Sequence, residues 1–120
     1  MYKEEILDLY KNPWNQGVIE NGLEREGENP SCGDHTKIYI KLENDRIEEI
    51  KHETDGCAIS TAAISILSEE VKGKTVEEVE QLDSDWMIEK LGIDISPMRM
   101  KCALLGLETV QKAVKEDEES

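Results

Sequence analysis

From His35 to Leu42 the chain alternates strictly, with Ile38, Ile40 and Leu42 on one side and Lys37, Tyr39 and Lys41 on the other. Successive side chains of a β-strand leave opposite faces, so this period of two marks a half-buried strand. Glu43-Asn44-Asp45 supplies turn residues, and Arg46 to Glu53 resumes with Ile47 and Ile50, so the segment reads as a β-hairpin. Ile47 and Ile50 are three apart, a spacing that points to a bulge. After Gly56 the period changes. Ile59, Ala63, Ile66, Leu67 and Val71 follow 3.6-residue spacing up to Gly73, so a helix follows the hairpin with Cys57 at its N-terminus.

The remaining elements are placed by shorter signals. Tyr2, Ile6, Leu9 and Tyr10 make residues 2–11 a short amphipathic helix that Asn12-Pro13 ends. Residues 15–35 carry Gly17, Gly22, Gly27 and Gly33 with few apolar side chains, which predicts loop with a short edge strand. Thr75 with Glu78 fits a capping box, and Val76, Val79 and Leu82 supply the apolar stripe of a short helix; Trp86 to Leu91 reads as another. Pro97 starts a final helix near Met98 to Lys101, marked by Leu104, Leu107, Val110 and Val114. Lys115 to Ser120 has no apolar anchor and reads as a solvated, frayed end. No internal repeat or linker is present, and 120 residues fit one domain spanning 1–120.

Charge narrows the function. With 28 acidic against 14 basic residues the net charge is −14, which leaves no positive field to displace phosphate counterions and argues against nucleic-acid binding. Partners should offer basic surface or metal cations. No apolar run approaches the roughly 20 residues that span a bilayer, so a membrane role is not expected. The N-terminus lacks the apolar stretch of a secretory signal, and three cysteines are an odd number for a disulfide framework, so the expected compartment is the cytoplasm.

The chemistry rests on those cysteines. Cys32 lies in Pro30-Ser31-Cys32-Gly33-Asp34, Cys57 in Asp55-Gly56-Cys57-Ala58, and Cys102 in Arg99-Met100-Lys101-Cys102-Ala103. In extended backbone, side chains at i and i+2 share a face, so Cys32 and Asp34 could grip one ion. Cys57 and Cys102 fall at predicted helix N-termini, whose free N–H groups favour thiolate over thiol. Arg99 and Lys101 add cationic stabilisation beside Cys102, which makes it the candidate nucleophile. No Cys-x-x-Cys occurs, so any shared site must be assembled by the fold. His35 and His52 are spare ligand candidates of low weight, since His35 in the strand would point away from Asp34.

The order of these elements and the motifs Tyr10-Lys11-Asn12-Pro13 with Asn15, Asn29-Pro30-Ser31-Cys32-Gly33-Asp34, Gly56-Cys57-Ala58-Ile59-Ser60, Val71-Lys72-Gly73-Lys74 and Lys101-Cys102-Ala103-Leu104 resemble the iron–sulfur cluster assembly scaffold family of the IscU, NifU N-terminal and SufU type. The resemblance covers nearly the whole chain. It implies an α+β fold in which a small antiparallel sheet of about three strands packs against several helices. It also implies that Cys32, Asp34, Cys57 and Cys102 converge to hold zinc, iron or a nascent [2Fe–2S] cluster. One hard carboxylate among thiolates should hold a cluster less firmly than four thiolates would.

The function so implied is a non-enzymatic scaffold or carrier. It would build a transient [2Fe–2S] cluster from iron and from persulfide sulfur supplied by a cysteine desulfurase, then pass it to apo iron–sulfur acceptor proteins. Frataxin-like and ferredoxin partners would follow from the same resemblance, and a homodimer around an exposed cluster is compatible with it. Cys102 is the first candidate for persulfide acceptance and Cys32 the alternative. Two departures from the family pattern bear on subtype. Lys101 stands where the bacterial IscU type has histidine; a protonated lysine has no lone pair for a metal, so its expected role is to modulate the site by pairing with Asp34 or a thiolate. The lysine is a SufU-type feature, yet the insertion characteristic of SufU between the second and third cysteines is missing. A zinc-dependent sulfurtransferase that accepts persulfide from, and activates, a desulfurase is therefore the alternative. Ile95-Ser96-Pro97-Met98-Arg99 only partly resembles the chaperone-binding motif of bacterial scaffolds, so an Hsp70 partner is not expected.

Overall fold

A computed structural model of the chain describes residues 4–31 and 33–119. Helix α1 (Glu4–Lys11) is followed by three strands, β1 (Leu23–Asn29), β2 (Asp34–Glu43) and β3 (Arg46–Asp55), and then by α2 (Ala58–Glu70), α3 (Val76–Glu80), α4 (Ser84–Leu91) and α5 (Met100–Glu119). The strands form an antiparallel meander in the order β1-β2-β3. The α+β architecture expected of the chain is the one observed.

The hairpin follows its pattern closely. Ile38 and Ile40 of β2 and Ile47 and Ile50 of β3 are buried together on the inner face of the sheet. The register shifts between Lys41 and Leu42, which pair with Glu49 and Ile47, and leaves Glu48 as the extra residue of a bulge. That bulge lets two isoleucines three positions apart face one core. Towards the other end of the sheet the inner face turns polar. Thr36 is paired with Thr54 and Ile38 with His52, and Asp34 begins β2 beyond them.

Strand β1 is longer than the short edge strand expected. Its inward positions are Leu23, Arg25, Gly27 and Asn29, so the alternation exists but is not apolar. Gly27 lets α5 lie close, because a Cβ there would fall 2.1 Å from Thr109 Oγ1. Arg25 pairs with Glu116 near the far end of α5. Helix α5 continues to Glu119, through the segment whose composition suggested a frayed end.

Helix α2 is buried on nearly all sides, not along one stripe. Besides Ile59, Ala63 and Leu67 it buries Ser60, Thr61, Ala62, Ile64, Ser65 and Ser68, whereas Ile66 is only half-buried. It packs against α1, α5, α4 and β3, and its small side chains permit that density of neighbours. Helix α1 buries Ile6 and Leu9, while Tyr10, read as part of its apolar face, is 48% exposed; Tyr2 lies outside the described residues. Thr75 and Glu78 form the expected capping box of α3. A 3-10 turn over Pro97–Arg99 leads into α5 with Pro97 at its first position, as a helix-starting proline should be.

Candidate metal centre

Three elements bring their ends together at the polar end of the sheet. Asp34 is the first residue of β2, Cys57 is the N-cap of α2 with extended backbone (φ −74°, ψ 171°), and Cys102 sits in the first turn of α5. One ligand atom from each, a carboxylate oxygen and two sulfurs, lies within 4.8 Å of the others. A closed tetrahedral zinc site places such atoms about 3.5–3.8 Å apart, so a contraction of about 1 Å would close this trio on an ion. Two soft sulfurs with one hard oxygen suit zinc or iron. Cys32, the fourth expected ligand, lies outside the described residues.

The carboxylate is already committed. Asp34 Oδ1 accepts from the Cys57 N–H at 2.9 Å and lies 3.3 Å from the Ser60 hydroxyl, while Oδ2 accepts from Asn29 Nδ2 at 3.3 Å. Burial pushes the Asp34 carboxyl up, but hydrogen bonds from the Cys102 thiol, the Cys57 N–H, Asn29 and Ser60 outweigh it and hold the group below the ordinary carboxylate range. The negative charge also sits against the N-terminus of α2, where a helix favours it. Gly56 makes this possible, since a Cβ there would lie 2.6 Å from both Asp34 Oδ1 and Ser60 Oγ.

Burial separates the two described cysteines. Cys57 is half-buried, with Sγ 3.7 Å from Ser60 Oγ, whereas Cys102 is 0% exposed and accepts from Asn29 Nδ2 at 3.5 Å. An attacking thiolate must reach its target, so the Cys102 sulfur lacks the accessibility its candidacy as nucleophile assumed. Its cationic neighbour takes a different direction from it. Lys101 is exposed, and it is not among the groups that act on the Asp34 carboxyl. Adjacent helical residues differ by about 100° in direction, so burying Cys102 turns Lys101 outward.

The histidines fall outside the centre. His35 lies on the outer face of β2, 3.9 Å from Glu26. His52 is fully buried, with Nε2 2.8 Å from the Trp14 carbonyl oxygen and Nδ1 2.8 Å from Thr54 Oγ1. A carbonyl can only accept, so Nε2 carries the proton and Nδ1 of the neutral ring accepts from Thr54. Asn29 and Ser60 are the site residues that sequence reasoning missed. Asn29 adjoins the Pro-Ser-Cys-Gly-Asp motif, and Ser60 is three residues after the N-cap cysteine, a position where side chains commonly meet the helix start.

Thiols and a carboxylate that could hold a metal thus converge at one end of an α+β domain, and comparison with known proteins assigns its family. The model of the NifU-like N terminal domain family matches residues 1–119, so the chain belongs to that family. It is 41% identical over 119 residues to the iron–sulfur cluster assembly scaffold protein IscU of Aquifex aeolicus, covering 96% of this chain and 74% of that one. It is 35% identical to the zinc-dependent sulfurtransferase SufU of Bacillus subtilis, over 98% of this chain and 92% of that one. The crystal structure of a putative iron–sulfur cluster assembly scaffold protein for the SUF system from Fervidobacterium islandicum superimposes with a TM-score of 0.81 at 34% identity, covering 94% of this chain and 96% of that chain.

Proposed function

We propose that this protein is a scaffold on which a [2Fe–2S] cluster is assembled from iron and desulfurase-derived sulfur and then transferred to apo-proteins. The observation that carries the reading is the convergence of Asp34, Cys57 and Cys102 in a chain that belongs to the NifU-like family. Cys32 is assigned as the fourth ligand. Two relatives named IscU scaffold proteins, from Archaeoglobus fulgidus, match over 116 residues, whereas the match to the sulfurtransferase runs over 135, more than the 120 residues of this chain. The sulfurtransferase therefore carries additional residues within the match, and this chain has the more compact form.

The site's own groups suit temporary holding. Asp34 has alternative partners in Asn29, Ser60 and the Cys57 N–H, so a metal-bound carboxylate can return to protein donors when the cargo leaves. For sulfur delivery, a scaffold thiolate attacks the outer sulfur of the desulfurase persulfide. The old sulfur–sulfur bond breaks, the desulfurase cysteine leaves as thiolate, and the scaffold cysteine becomes the persulfide. With Cys102 buried, Cys32 is the assigned first acceptor; its neighbours Ser31 and Gly33 are exposed.

The second reading, a zinc-dependent sulfurtransferase, is favoured by Lys101 before the third cysteine and by the Bacillus relative. Anaerobic reconstitution with iron, sulfide and a cysteine desulfurase separates the two. Stoichiometric [2Fe–2S] absorption that depends on all three cysteines, and that moves to an apo-ferredoxin, is expected. Tight zinc that iron cannot replace, with stimulated desulfurase turnover, would establish the sulfurtransferase instead. Asp34→Ala should slow cluster release, and equally fast transfer from that variant would contradict the role given to the carboxylate.

A further inference from the structure

Asn29 occupies a position that neither metal binding nor the strand pattern requires of it. It ends β1 and is paired in register with Asp34, so the two residues close the loop that contains Cys32. Its side chain is 5% exposed, and its single carboxamide nitrogen lies 3.3 Å from Asp34 Oδ2 and 3.5 Å from Cys102 Sγ. A carboxamide NH₂ has two protons and no charge. Asn29 can therefore donate to a carboxylate and to a sulfur at the same time, joining ligands from β2 and α5. Ser60 has one hydroxyl proton, shared between Asp34 Oδ1 and the Cys57 carbonyl oxygen at 3.3 and 3.1 Å. It cannot join a second ligand in the same way.

We infer that Asn29 is the positioning residue of the metal centre: its two N–H groups hold Asp34 and Cys102 at one another and remain as a hydrogen-bond donor to the Cys102 sulfur when metal is bound. The inference rests on the reading that Asp34, Cys57 and Cys102 hold a metal. Without Asn29 the link between the buried carboxylate and the buried sulfur would rest on the Cys102 thiol proton, which is lost when the sulfur binds metal as thiolate, so no fixed donor would hold the two ligands in place during binding. Groups that orient ligands in this way are commonly worth 10–100-fold in metal affinity. An N–H donated to a thiolate also lowers the energy of the sulfur lone pair. Removing it should move the sulfur-to-metal charge-transfer band to lower energy, an effect that a purely structural residue would not have.

The test uses the full chain loaded anaerobically with cobalt(II), whose thiolate charge-transfer and ligand-field bands report donor type and geometry. Asn29→Ala and the nearly isosteric Asn29→Leu, both checked for folding without metal by circular dichroism, should bind cobalt about 10–100-fold more weakly. At saturation their charge-transfer bands should be red-shifted. If wild type itself takes up no cobalt with thiolate character, the metal-centre reading falls. If wild type binds and both variants match its affinity within twofold and its spectrum, only the role of Asn29 falls. A wild-type measurement covers the case in which neither variant folds. In the ¹¹³Cd-loaded protein an Asn29 carboxamide proton should show scalar coupling to cadmium through the N–H···S bond, and absence of that coupling would overturn the inference.

Discussion

Gly27→Ala tests whether the seam between β1 and α5 controls the metal centre. The backbone of Gly27 needs no left-handed angle, so alanine meets no conformational penalty, and a stiffer unfolded chain would by itself stabilise the protein by about 0.4–1 kcal/mol. Packing opposes this. The new methyl would sit 2.1 Å from Thr109 Oγ1, 3.2 Å from Leu105 Cδ1 and 3.3 Å from Thr109 Cβ, and the first of these is about 1.4 Å short of ordinary contact. Thr109 is β-branched and buried, and its hydroxyl donates to the Leu105 carbonyl at 2.7 Å. Rotating it away costs that bond, about 1 kcal/mol; keeping it means forcing strand and helix apart, about 1–3 kcal/mol. With the gain of about 0.4–1 kcal/mol set against these costs, the net expectation is a loss of about 1 kcal/mol and at most about 2.6 kcal/mol, read from urea unfolding of the metal-free protein with an unchanged m-value. Asn29 lies two residues along the same face of β1, and Cys102 lies two helical turns before Thr109 on α5. The same displacement should therefore weaken cobalt binding. Thr109→Ala removes the obstructing atoms, so in a double-mutant cycle it should recover at least ~1 kcal/mol of the Gly27→Ala loss. Stability within about 0.5 kcal/mol of wild type for Gly27→Ala, or strict additivity with Thr109→Ala, would refute the steric argument.

Burial holds the His52 imidazole below its ordinary value, although its bond to the Trp14 carbonyl opposes the shift. The folded state thus resists a proton that the unfolded state accepts, so the contribution of His52 is fully present above about pH 6.5 and is lost as pH falls from there towards the depressed folded value. Urea midpoints measured at pH 7.5, 6.5 and 5.5 should decline across this window, and His52→Gln should flatten the decline; an unchanged slope would assign it to other groups. Thr75 accepts from the Glu78 N–H at 3.1 Å while Glu78 accepts from the Thr75 N–H at 3.0 Å. Thr75→Ala should cost about 1 kcal/mol in the same denaturation assay and Thr75→Ser much less, whereas equal losses would show that the hydroxyl does not cap α3.

What could be read from the chain was whatever a single element announces by itself. The hairpin, its bulge, the capping box of α3 and the start of α2 at Cys57 each depend on neighbours within a few residues, and each appears where the pattern put it. Strand β1 was harder because its inward row is Leu23, Arg25, Gly27 and Asn29. Only Leu23 is apolar, since Gly27 makes room for Thr109, Arg25 reaches Glu116, and Asn29 reaches Asp34 and Cys102. The same reasoning explains the site. Cysteines and an aspartate in tight motifs are conspicuous one by one, but the division of labour among them depends on burial, which no local spacing encodes. Lys101 and Cys102 illustrate this: adjacent in sequence, they part at the first turn of α5, one to solvent and one to the core. An asparagine before a proline or a serine in a helix is ordinary until the fold sets it beside a carboxylate and a sulfur. The residues that assemble this centre are thus divided between those whose chemistry is rare, which sequence reveals, and those whose chemistry is common, which only their position makes specific.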